Sequence, residues 1–175
     1  MPDVQRIKTV MERNTRAVSL KPSVGQSTQA MHVDMDETGS CHVADDDTSL
    51  IVDMGEAYGG KGTTPSPGFY VRAALGSCIA QGYLCFAATM DIPINRLSVD
   101  LEFDSDMRGN LGIDPDVPTS YTAVRYVVNI DSPAPADRIE ALADVIDKQD
   151  WVLDVFKRAI PVTRELRVTD SASAA

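Results

Sequence analysis

The stretch Ala73–Met90, AALGSCIAQGYLCFAATM, constrains this chain most, because no residue in it carries a charge. Strands seldom run past about eight residues, so a run of this length reads as a helix. It is apolar on nearly every face, and such a helix needs cover on all sides. A membrane span has the same length requirement. Gly76, Ser77, Gln81, Gly82 and Thr89 interrupt the run, and no Lys or Arg cluster flanks its far end. The core of a folded domain is therefore its expected place, with no membrane partner.

The neighbouring segments supply the cover. Val4, Ile7, Val10 and Met11 recur at helical spacing over residues 3–16, and SLKPSVGQS follows as a linker. From Gln29 the pattern alternates, with Met31, Val33 and Met35 on one face. A turn at Glu37–Gly39 and a hinge at Asp45–Asp47 divide the region into a three-strand meander. After the long helix, Leu97, Val99, Leu101 and Phe103 alternate with polar residues, and so do Val124, Tyr126, Val128 and Ile130. Between these two strands, residues 104–120 read as a long exposed loop. Ser132 and Pro133 are expected to open a helix with the stripe Ile139, Leu142, Val145 and Ile146. A further helical piece, DWVLDVFKRA, stops before Pro161, and VTRELRV alternates as a last strand.

Strands in blocks around two central helical regions predict an α+β fold with a mainly antiparallel sheet. One sheet covers only one side of the apolar helix, and the second helix has an outer face rich in Asp and Glu. A homodimer with the long helices close to its interface is the expected solution. By segment, residues 1–26 form an N-terminal helix and linker, 27–169 the folded domain, and 170–175 a frayed tail.

A net charge of −10 with no basic stripe excludes nucleic acid as a partner. Three cysteines are too few for a disulfide framework, and MPDVQRIKTVMERNTRAV lacks the apolar core of a secretion signal. A reducing cytoplasm is the expected location. Gly55, Gly60 and Lys61 nearly complete a phosphate-binding loop, but Gly62 stands where the magnesium-binding hydroxyl is required. DSDMRG resembles a calcium loop until Arg108 and Pro115 occupy ligand places. His32 and His42 match no ligand spacing, so no metal site and no cofactor is expected.

The cysteines carry the remaining chemistry. Cys78 and Cys85 share a helical face about 10 Å apart, too far to bridge each other. On periodicity alone both are packing residues, since free cysteine behaves as a small buried hydrophobe.

Three separated segments change that reading for Cys78: GGKGTTPSPGFYVRAALGSCIAQG, DIPINRLSVDLEFDSDMRGNLG and DWVLDVFKRAIPV. Together they resemble the OsmC/Ohr family, the osmotically inducible and organic hydroperoxide resistance proteins, from about Gln29 to Val168. The resemblance implies an OsmC-like intertwined homodimer with thiol sites at the subunit interface, and reduction of organic hydroperoxides. Cys78 matches the family's peroxidatic nucleophile. The resolving cysteine falls at Asp150, the expected glutamate at Gly68, and the thiolate-stabilising arginine near Asp36 or Glu37. The chain is thus a divergent member without the second cysteine, and an external thiol is needed to reduce any oxidised Cys78.

An unperturbed thiol is only about 3% ionised at pH 7. Burial and a carboxylate at Asp150 would both lower that fraction. A second reading therefore stands beside the peroxidase: a non-catalytic binding protein that keeps an apolar pocket at the dimer interface. Phe69, Trp151, Tyr83 and Phe86 would be its walls, and Asp150 its polar contact. The same aromatics serve equally well as core packing.

Overall fold

The computed structural model describes residues 3–168. The tail expected at 170–175 lies outside them. Asp3 accepts a hydrogen bond from the Arg6 amide at 2.9 Å and caps α1, Val4–Leu20. This helix runs past the expected end at residue 16, because nothing breaks it before Pro22 opens a short 3-10 turn, Pro22–Gly25.

The meander follows as β1 (His32–Met35), β2 (Cys41–Ala44) and β3 (Ser49–Val52), antiparallel throughout, with Met35 opposite Cys41 and Cys41 opposite Val52. An aspartate closes each turn. Asp36 accepts from the Thr38 and Ser40 amides at 2.8 and 3.1 Å, and Asp45 from those of Asp47 and Thr48 at 3.0 and 2.7 Å. Both histidines pair with aspartates: His32 with Asp34 at 2.8 Å, His42 with Asp36 at 3.0 Å.

The uncharged stretch makes up most of α2, Pro67–Thr89, and ends at its C-cap Met90, with proline at the helix start where its missing N–H costs nothing. β4 (Arg96–Ser105) and β5 (Tyr121–Asp131) form a separate antiparallel ribbon, Val99 facing Val128. Their inward residues are those expected from the alternation. The connection between them is less open than the turn residues imply. It holds α3, Met107–Asn110, capped by Asp106. Gly109 is buried there, and a Cβ on it would sit 2.2 Å from the Pro118 carbonyl oxygen. Only glycine fits.

α4 (Ala136–Gln149) starts later than Ser132. The Ser132 hydroxyl instead donates to the Pro93 carbonyl and accepts from the Ala134 amide, which holds the turn into the helix. α5 is Trp151–Lys157. Residues 161–168 form no strand, since alternation yields a strand only where another strand offers its backbone groups.

By length and composition α2 would cross a membrane. In this α+β fold it is the core instead, packed by α1, β4, α4 and α5. Leu75, Ile79, Leu142 and Ile146 are fully buried at the centre, joined by Tyr83, Ala87, Ile92 and Leu153. Lys8 of α1 pairs with Asp91 just beyond α2 at 2.6 Å.

Candidate functional site

The site is built where α2 meets the junction of α4 and α5. Asp150 is the last residue before α5, and its Oδ1 accepts from the Leu153 amide at 2.7 Å. Asp150 is 5% exposed, and its Oδ2 has no hydrogen-bond partner. That oxygen faces α2 at Gly82, where an added Cβ would lie 3.3 Å away. Glycine here lets the carboxylate come close to the helix. Cys78 is one turn earlier on the same face.

The half-buried Cys78 thiol thus faces the Asp150 carboxyl and the backbone N–H groups of Trp151 and Val152. Burial pushes its pKa above the ordinary thiol value, and the Asp150 carboxyl adds to the rise; the two N–H groups pull the other way without cancelling it. Burial alone pushes Cys85 up. All three cysteines are free.

Arg72, Arg125 and Arg158 are engaged elsewhere than at this thiol. Arg72 donates to the Tyr121 hydroxyl at 3.3 Å. Arg125 is clamped by Glu102 and Asp104, at 3.0 and 2.6 Å, on the outer face of the ribbon. Arg158 pairs with Asp154. The described surroundings of Cys78 therefore favour a neutral thiol.

Of the residues singled out from the sequence, Cys78, Asp150 and the Trp151 backbone come together. Trp151 itself is 72% exposed. Gly68 and Phe69 lie at the start of α2, about 15 Å from Cys78 along the helix axis. Phe69 is half-exposed and packs edge-on against Tyr70. Tyr83 is buried in the core, and Phe86 packs against it.

Gly68 lines a second feature, a cavity of about 840 Å³ between the meander and the start of α2. Its walls include Met35, Met54, Tyr58, Met107 and Tyr121, with Arg72 as its cation. The Tyr121 hydroxyl donates to the Gly68 carbonyl at 3.4 Å. Sequence reading missed this cavity, because its lining comes from five separate segments. It also missed Gly82, whose signal was a glycine in mid-helix one turn from a cysteine.

Comparison with known proteins bears on the whole arrangement. Residues 60–165 match the family model of OsmC-like proteins. No curated relative matches the chain. Among solved structures, an OsmC-like protein from Mycoplasma pneumoniae aligns with a TM-score of 0.63 at 16% identity, over 75% of this chain and 89% of that one. An organic hydroperoxide resistance protein OsmC from Legionella pneumophila aligns at 0.56 and 16%, over 75% and 90%. An OsmC-like protein of unknown function from Vibrio cholerae aligns at 0.57 and 13%, over 74% and 93%. These likenesses establish a shared fold, and the family match covers both halves of the Cys78 site, so the chain belongs to the OsmC-like family.

Proposed function

We propose that this protein reduces organic hydroperoxides with Cys78 as nucleophile and an external thiol as reductant, acting as a homodimer. The observation that carries the reading is the meeting of Cys78 with the first turn of α5 in a chain of the OsmC-like family. The position that the resemblance assigns to a resolving cysteine holds Asp150, so no disulfide can close there. Cys85 shares a helix face with Cys78 and is out of bonding reach. Oxidised Cys78 is therefore returned to the thiol by a small thiol from solution, as a cytoplasmic setting would provide.

The dimer is supported by apolar surface without cover. On α2, Phe69, Val71, Ala73 and Ala74 are exposed, and on the meander Met31, Val33 and Met35. A second copy would remove both from water.

Cumene hydroperoxide consumption with several thiol reductants tests the activity. Wild type is expected to exceed Cys78→Ser at least tenfold, and equal rates would end the peroxidase reading.

One observation favours a second reading, the binding protein. The 840 Å³ cavity, with its methionine and tyrosine walls, has the size and lining of a site for a small apolar molecule. A fluorescence titration with an apolar probe, repeated on Tyr58→Ala, tests it; binding unchanged by that substitution would remove it.

A further inference from the structure

Asp150 has one oxygen committed to capping α5 and one, Oδ2, buried without a donor. An unpartnered carboxylate oxygen in such a place costs free energy unless a donor faces it. No hydrogen bond joins this oxygen to the Cys78 thiol as they stand, but Cys78 lies one helical turn before Gly82, the residue the oxygen faces, and its thiol hydrogen can turn toward it. From this geometry we infer that Asp150 is the proton acceptor for Cys78, so that the two act as a nucleophile–base pair. The inference rests on the hydroperoxide reading above and deepens it by assigning the step that replaces arginine-stabilised thiolate chemistry.

The step balances without a preformed thiolate. The Cys78 proton passes to Asp150 Oδ2 as Sγ attacks the distal oxygen of the hydroperoxide. The S–O bond forms and the O–O bond breaks, with its electron pair leaving on the alkoxide oxygen. Asp150 returns the proton to that oxygen, which departs as the alcohol. Sulfur is oxidised by two electrons, the peroxide is reduced by two, and Cys78 is left as sulfenic acid. One molecule of external thiol condenses with it and releases water. A second reduces the mixed disulfide and restores Cys78.

The other titratable groups around the pair leave the neutral range to it. Tyr83 on α2 and Tyr126 on β5 are both pushed up, chiefly by burial and then by Asp147 of α4. Tyr126 also donates to Asp147 at 2.6 Å. Cys85, the remaining group on this face of α2, is pushed up by burial. From α1, Lys8 is engaged with Asp91. On β4, Glu102 and Asp104 are held by Arg125 on the opposite face of the ribbon. Both phenols and the Cys85 thiol stay neutral between pH 6 and 8.

A base held beside a thiol leaves a specific kinetic mark. Between the two macroscopic ionisations of such a pair, the fraction with the proton on the base does not change with pH. A thiol without a base reacts only through its free thiolate, and its rate rises tenfold per pH unit.

The test is iodoacetamide alkylation of Cys78 in the full chain, followed by peptide mass spectrometry from pH 6 to 8, for wild type and Asp150→Asn. Asparagine caps a helix as well as aspartate does, and circular dichroism checks that the variant is folded. A wild-type rate that is flat across this range, with Asp150→Asn at least tenfold slower at pH 6, is the expected result. A wild-type rate rising tenfold per unit, or an Asp150→Asn rate equal to or above wild type at pH 6, overturns the pair. Alkylation needs no peroxide, so the pair and the hydroperoxide activity can fail separately.

Discussion

In β4 and β5 the apolar residues Leu97, Val99, Leu101, Val128 and Ile130 lie against the buried core around α2. In the meander, Val33, Met35, Leu50 and Ile51 alternate or cluster as well, yet no residue of β1, β2 or β3 is buried. Two regions with comparable strand-forming sequence differ in whether the same chain supplies a covering layer. The ribbon has α2 to pack on, and α4 and α5 close the other side of that helix. Among the described residues the meander has its own hydrogen bonds and turns and one long bond from the body, the Tyr70 hydroxyl donating to the Ile51 carbonyl at 3.5 Å. A small sheet with no packed face is marginal by itself, so its apolar residues are explained by a surface that comes from outside the chain.

The body should lose most when its centre is hollowed. Ile79→Ala removes a fully buried side chain from α2 and is expected to cost about 2–5 kcal/mol. Denaturant unfolding reads this directly; a loss below about 1 kcal/mol would mean that the body is far looser than its burial implies.

A smaller effect separates the layers of the body by pH. Tyr126 on β5 donates to Asp147 on α4, and burial, then this acceptor, raises its pKa above the ordinary tyrosine value. A raised folded pKa means stability that is complete below about pH 10 and lost as pH climbs through the folded value. Tyr126→Phe should cost about 1 kcal/mol or less at pH 7, because the pair is partly exposed. It should also lack part of the alkaline loss. Parallel wild-type and variant stability curves from pH 9 to 11 would contradict this link.

The smallest change in unfolding is expected in the meander. Val33→Asp touches no core and should move the stability of the body by less than about 0.5 kcal/mol. It should instead weaken self-association, seen as a shift toward monomer in sedimentation at a fixed protein concentration. An unaltered sedimentation profile would mean that this face is not the one a second copy covers.

Much of the architecture was legible along the chain. Period-two patterns placed Leu97–Phe103 and Val124–Ile130 on the inner face, and helical spacing identified Leu142 and Ile146, because burial selects residue types at the repeat of the local backbone. Two elements were misread for a common reason. VTRELRV alternates but forms no strand, and the region around Arg108 looked like open loop but folds around Gly109. In both, the outcome turns on backbone outside the local run, present at Pro118 for Gly109 and wanting a partner strand for VTRELRV, which local pattern does not encode.

The candidate site divides in the same way. The family motif marked Cys78, and the aligned segments marked Asp150 as a departure from the pattern. That Gly82 opens the approach, that Asp150 keeps one oxygen unpartnered, and that Arg72, Arg125 and Arg158 are occupied elsewhere became visible only in three dimensions. By itself the sequence determined which residues are apolar, where the helices and most strands run, and which thiol merits suspicion, since these follow from short-range backbone geometry and residue chemistry. Tertiary structure alone decided what faces the sulfur, because a thiol's proton affinity depends on charges and burial contributed by elements far apart in the chain.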